Sequence, residues 1–148
     1  MNMALACDLI VASDQARFSE IFARRGLSVD FGGTWILPRL IGLHRAKELA
    51  FFADVISAEE AANFGFVNKV VAHDELDAEV SDWAERLAAG PPLALAMTKR
   101  MLTLNASNDF KSALEAEGMA QTVNFYTSDT KEAVAAFLDK REPKFQGN

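Results

Sequence analysis

Strand-forming sequence is confined to the first half of this chain, and that asymmetry limits the folds open to it. Residues 8–12 (DLIVA) form a short apolar run suited to a buried strand, residues 16–18 (ARF) can form a second, and residues 67–72 (VNKVVA) a third. Two or three isolated short strands do not hold a sheet, because three or more packed strands are normally needed. Residues 1–72 therefore read as the end of a sheet-containing core whose beginning lies elsewhere, and the 148-residue sequence as a piece of a longer protein. Starting at Met1, such a core would leave apolar surface open around Leu5 to Val11.

Helix signals fill the remainder. Residues 3–6 are good helix formers, and residues 21–25 suggest a helical turn ending at Gly26. Residues 31–34 (FGGT) make a turn that opens a helix through Leu40, which Pro38 should kink or end for want of a donor N–H. Residues 44–53 form an amphipathic helix, and Ser57-Ala58-Glu59-Glu60 is a capping box that starts another, stopping at Gly65. Beyond Asp74, Leu76, Val80, Trp83 and Leu87 fall at helical spacing. Gly90-Pro91-Pro92 separates that helix from one reaching Leu104, whose first turn tolerates a proline. Two more helices cover 109–125 and 129–141. The fold class is helix-rich α/β, mixed over 1–72 and almost wholly helical over 73–148.

Composition excludes several functions. The net charge is −6 and no Lys/Arg stripe is present, which argues against nucleic acid as a partner. No apolar stretch approaches about 18 residues and no basic flank precedes a signal core, so no membrane association is expected and the localisation reads as cytoplasmic. The single cysteine, Cys7, has no partner for an internal disulfide, and its apolar run predicts a buried, inert thiol. His44 reads as exposed near a helix start and His73 as a turn residue; no His/Cys/Asp cluster has metal-ligand spacing. The glycine pair before Trp35 lacks the three-glycine spacing of a dinucleotide fingerprint.

One stretch carries chemistry: residues 16–42, ARFSEIFARRGLSVDFGGTWILPRLIG, where Asp30 stands before Gly32-Gly33 in apolar surroundings. Taken alone, such an aspartate is a turn or helix-cap residue. A carboxylate among Val29, Phe31 and Trp35 is also a candidate base, if those side chains enclose it and raise its pKa toward neutrality. Asn2, near the chain start, reads as a solvated polar residue.

Five segments occur in one order: ALACDLIVAS, ARFSE, GGTWILPRLIG, ISAEEAANFGFVNKVV and VAAFLDKREPKF. In these the chain resembles the crotonase, or enoyl-CoA hydratase/isomerase, superfamily over nearly its whole length. The resemblance implies the end of a ClpP/crotonase-like spiral of ββα turns over 1–72 and a helical trimerisation region over 73–148. It implies an acyl-CoA thioester as substrate, chemistry through a thioester enolate, no cofactor beyond that CoA thioester, and a homotrimer or dimer of trimers. The family's oxyanion hole uses two backbone N–H donors, of a kind worth about 3 kcal/mol each. By the resemblance, one lies far upstream of this chain and the other just before Met1.

The same alignment sets Asn2 and Phe22 at the places of the two glutamates with which the hydratases activate water, and neither does that chemistry. Asp30 instead falls where isomerase-type members and acyl-CoA dehalogenases carry a carboxylate, within GL-x-x-[DE]-x-G. This implies double-bond isomerisation with Asp30 as the shuttling base, ahead of a nucleophilic role. Substrate-binding positions implied are Phe22, Val29, Phe31, Gly32 and Trp35, with Phe137 and Lys140 toward CoA. The alternative reading is a non-catalytic fragment or pseudo-subunit that oligomerises through its C-terminal helices.

Overall fold

The computed structural model describes all residues, Met1–Asn148. The chain divides into two compact units, Met1–Asp82 and Trp83–Asn148.

The first unit begins with a short helix α1 (Asn2–Leu5), followed by strands β1 (Val11–Ser13) and β2 (Arg17–Phe18). A 3₁₀ turn, Ile21–Arg25, leads to helices α2 (Gly33–Ile41) and α3 (Leu43–Phe52). Strand β3 (Ile56–Ser57), helix α4 (Ala58–Phe64) and strand β4 (Lys69–Val71) follow. The strands form two two-stranded ladders. β1 runs parallel to β4 with Ala12 opposite Val70, and β2 antiparallel to β3 with Phe18 opposite Ile56. The strand read at 8–12 thus begins only at Val11, and β3 was not anticipated at all.

Leu5, Ala12, Leu37, Leu49, Ile56, Phe66 and Val67 fill the core of this unit, and the Phe18 and Phe66 rings meet edge-on at 5.5 Å. Leu5 is therefore buried, whereas Leu9 is exposed. Cys7 corrects its reading: α1 ends at Leu5 and the turn that follows leaves the thiol exposed. Pro38 does not end α2, which continues to Ile41; it lies inside the helix, where its missing donor leaves the Thr34 carbonyl without an i+4 N–H. Ser57 caps α4 as read, its Oγ accepting the Glu60 N–H at 3.2 Å while the Glu60 carboxylate accepts the Ser57 N–H at 2.8 Å.

Helix α5 (Leu76–Ala88) crosses the boundary between the units. The second unit contains α6 (Pro92–Asn105), α7 (Phe110–Phe125) and α8 (Ser128–Asp139). Pro92 occupies the first position of α6, Asp109 caps α7 through the Ser112 N–H, and Thr127 caps α8 through the Thr130 N–H. No helix is long and apolar enough to cross a membrane.

Candidate active site

The Asp30 turn is tightly determined. The Asp30 carbonyl accepts the Gly33 N–H at 2.9 Å, and both residues between them take left-handed backbone, Phe31 at φ 52° and Gly32 at φ 77°. Positive φ at both central positions is the pattern of a mirror-image β-turn, which glycine adopts freely. A phenylalanine there costs about 1–2 kcal/mol, so surrounding contacts must hold the turn. One such contact is visible. The Asn2 side-chain Nδ2 donates to the same Asp30 carbonyl at 3.1 Å.

The turn leads directly into α2, whose first residue, Gly33, is buried against Asn2. Asp30 itself is exposed, with its carboxylate at the surface of the first unit. Phe31 is 62% and Trp35 52% exposed, and the Trp35 ring stacks under the Arg39 guanidinium at 3.9 Å. The apolar enclosure expected around Asp30 is therefore not built by these side chains. Left-handed backbone at Phe31 accompanies a ring that is largely exposed to solvent. Only Val29, half-buried, turns inward. It lines an apolar cavity of ≈ 190 Å³ with Gly33, Thr34, Leu37 and Pro38.

Asp30, Phe31 and Gly32 thus share one turn, with Val29 just before it, and Trp35 stands in the first turn of the helix that follows. Phe22 is half-buried in the 3₁₀ turn, where its carbonyl accepts the Leu27 N–H at 3.0 Å. Phe137 and Lys140 belong to the second unit. Phe137 is 82% exposed on α8, and Lys140 ends that helix in left-handed backbone at φ 53°.

Two residues depart from the sequence reading. Asn2, read as solvated, is only 4% exposed, because its amide is drawn under the Asp30 turn. Glu20, which the sequence did not single out, is 0% exposed, and its Oε2 accepts the other Asn2 N–H at 3.1 Å. Burial pushes the Glu20 carboxyl above its ordinary range, opposed in part by that hydrogen bond. Nothing local flags it, since glutamates are almost never fully buried. The signal is a partner 18 residues away.

The sequence matches the family model for enoyl-CoA hydratase/isomerase over residues 1–148. The chain belongs to that family. It is 39% identical over 144 residues to crotonyl-CoA hydratase of Syntrophomonas wolfei subsp. wolfei, covering 97% of this chain and 55% of that protein. It is 35% identical over 146 residues to 1,2-epoxyphenylacetyl-CoA isomerase of Escherichia coli, covering 99% and 56%. The crystal structure of enoyl-CoA hydratase from Bacillus anthracis superimposes with a TM-score of 0.94 at 34% identity, covering 97% of this chain and 56% of that one. The chain spans about half the length of these relatives. The helix-rich α/β reading and the crotonase resemblance hold.

Proposed function

We propose that this protein acts on an acyl-CoA thioester and moves a double bond in an enoyl-CoA through a thioester enolate, with Asp30 as the base. The observation that carries this reading is the exposed Asp30 carboxylate on a strained, hydrogen-bonded turn, beside an apolar cavity lined by Val29 and Gly33. Asn2 and Phe22, at the places of the hydratases' glutamates, point away from hydration. Asn2 is committed to structural hydrogen bonds, and Phe22 has no proton to exchange.

The chemistry asks little else of the base. Asp30 takes a proton from the carbon α to the thioester carbonyl, and the C–H electron pair delocalises into a dienolate. The protonated carboxyl then returns the proton to the γ carbon, and the double bond comes into conjugation. One carboxylate within reach of both carbons suffices, and such proton transfer contributes about 10²–10⁴-fold. CoA enters as part of the substrate, with no separate cofactor.

Phe137 and Lys140 are proposed to meet CoA, the ammonium at a phosphate and the ring at the adenine. The proposed assembly is a homotrimer or dimer of trimers built on the C-terminal helices, which expose Phe110, Tyr126 and Phe137. The proposed location is the cytoplasm.

The decisive variant is Asp30→Asn, which preserves shape and removes the base. Enoyl-CoA isomerisation should fall by about 10² or more with the thermal transition unchanged. Undiminished turnover would exclude Asp30 as the base.

A further inference from the structure

We propose that Glu20 is a positioning residue for Asp30: its buried carboxyl holds the Asn2 amide, and that amide fixes the carbonyl on which the Asp30 turn is anchored. The inference rests on the reading of Asp30 as the base, and it adds a residue to that site which never touches substrate.

The Asn2 –NH₂ group has two protons, and both are spent, one on Glu20 Oε2 and one on the Asp30 carbonyl, each at 3.1 Å. Two buried atoms of the same pair have no partner, Glu20 Oε1 and Asn2 Oδ1. Both are acceptors while Glu20 is ionised, and leaving them unpaired in the interior is costly. Once Glu20 carries a proton they become complementary, since a carboxylic acid offers one acceptor and one O–H to an amide that offers one donor and one acceptor. Burial favours that neutral form. The Asp30 carboxylate, which faces Glu20, acts in the same direction as burial.

Gly33 completes the arrangement. A side chain there would run into Asn2, so the glycine leaves the room the amide occupies. Without Glu20 the amide loses one of its two anchors. The Asp30 turn, strained at Phe31, then loses the contact that fixes its carbonyl, and the carboxylate shifts. Because Glu20 and Asn2 touch neither CoA nor the acyl chain in this scheme, turnover should suffer and binding should not.

The experiment compares Glu20→Gln, Glu20→Met and Asn2→Ala in the protein, with Asp30→Asn beside them. Two readouts are taken: isomerase kcat and KM, and hydrogen exchange of the Gly33 amide without substrate. Glu20→Met and Asn2→Ala should each lower kcat about tenfold or more at nearly unchanged KM, as expected for a misplaced base. Both should also speed Gly33 exchange by about tenfold through local opening. Glu20→Gln, which keeps an acceptor toward the amide and mimics the neutral acid, should restore kcat and protection. Glu20→Met with native kcat and native Gly33 protection overturns the proposal, as does Glu20→Gln as impaired as Glu20→Met. Where Glu20→Met does not fold, Asn2→Ala decides alone: native kcat and protection there overturn it equally. If Asp30→Asn is inactive while these variants are native, the positioning role fails and the base assignment stands. If Asp30→Asn is fully active, the base assignment fails, and with it the catalytic role of Glu20, whatever Gly33 exchange shows.

Discussion

Gly33 packs against Asn2 so closely that a Cβ on Gly33 would stand 2.4 Å from Nδ2 and 2.6 Å from Cγ of that side chain. Gly32, its neighbour, has the opposite problem: its Cβ would meet only Ile36 Cδ1 at an ordinary 3.7 Å, but its φ of 77° disfavours any side chain. The two glycines are therefore required for different reasons, one for space and one for conformation. Gly33→Ala should cost about 1–3 kcal/mol by overpacking, whereas Gly32→Ala should cost about 1–2 kcal/mol through backbone strain. Urea denaturation gives the two losses. Activity separates them further, since Gly33→Ala also displaces Asn2 from the Asp30 carbonyl. A Gly33→Ala protein with native stability and turnover would contradict the close packing.

The start of α4 offers a second test. Ser57 Oγ accepts the Glu60 N–H, and Glu60 accepts both the N–H and the hydroxyl of Ser57. These bonds, the backbone one foremost, hold the Glu60 carboxyl below its ordinary range. Ser57→Ala should lose about 1 kcal/mol of stability. In a carbon-13 titration, the Glu60 carboxyl of that variant should move up toward its usual value. A titration identical to the parent would mean the hydroxyl has no part in it.

Local features were readable in the sequence; features joining distant segments were not. The capping box at Ser57, the glycine end of the 3₁₀ turn and the proline entry to α6 each depend on a few adjacent residues, and the structure shows all three. The strands were harder. β1 pairs with β4 across more than fifty residues of intervening chain, and β3 is two residues long and marked only by its pairing with β2. Asp30 could be proposed as a candidate because its motif surrounds it in sequence. Glu20 was not, because its burial depends on Asn2 reaching back from another segment. The exposure of Phe31 follows a backbone angle that a phenylalanine does not announce.

In the second unit, Asp129 secures the C-terminal segment. Its carboxylate is buried, and Oδ1 accepts the Gln146 N–H at 2.7 Å while Oδ2 accepts the Gly147 N–H at 3.0 Å. Charged acceptors facing backbone donors make strong hydrogen bonds, and they act beside the bonds from Ser128 to Asn148 and from the Lys144 N–H to Glu132. Asp129→Ala should loosen it at Gln146 and Gly147, raising exchange of both amides about tenfold or more. Unchanged protection of these amides would show that the tail is held by other contacts.

A pH test lies nearby. Arg141 donates to both oxygens of Glu132, at 2.6 Å and 3.0 Å, and the Lys144 N–H adds a third bond at 2.9 Å. The Arg141 guanidinium, followed by that N–H, pulls the Glu132 carboxyl down to about 2 from an ordinary 4.5. A carboxyl whose pKa is lower folded than unfolded stabilises the fold above its unfolded value, and the contribution disappears as pH falls through the folded value. The pair faces solvent, so screening keeps its contribution modest. Glu132→Gln should therefore melt slightly below the parent near neutral pH. The gap should shrink steadily between about pH 4.5 and pH 2 and vanish at the acid end. Added salt should narrow the neutral-pH gap in the same direction. A gap that stays constant from neutral pH to pH 2 would assign the effect to lost packing or hydrogen-bond geometry instead of the Glu132 charge.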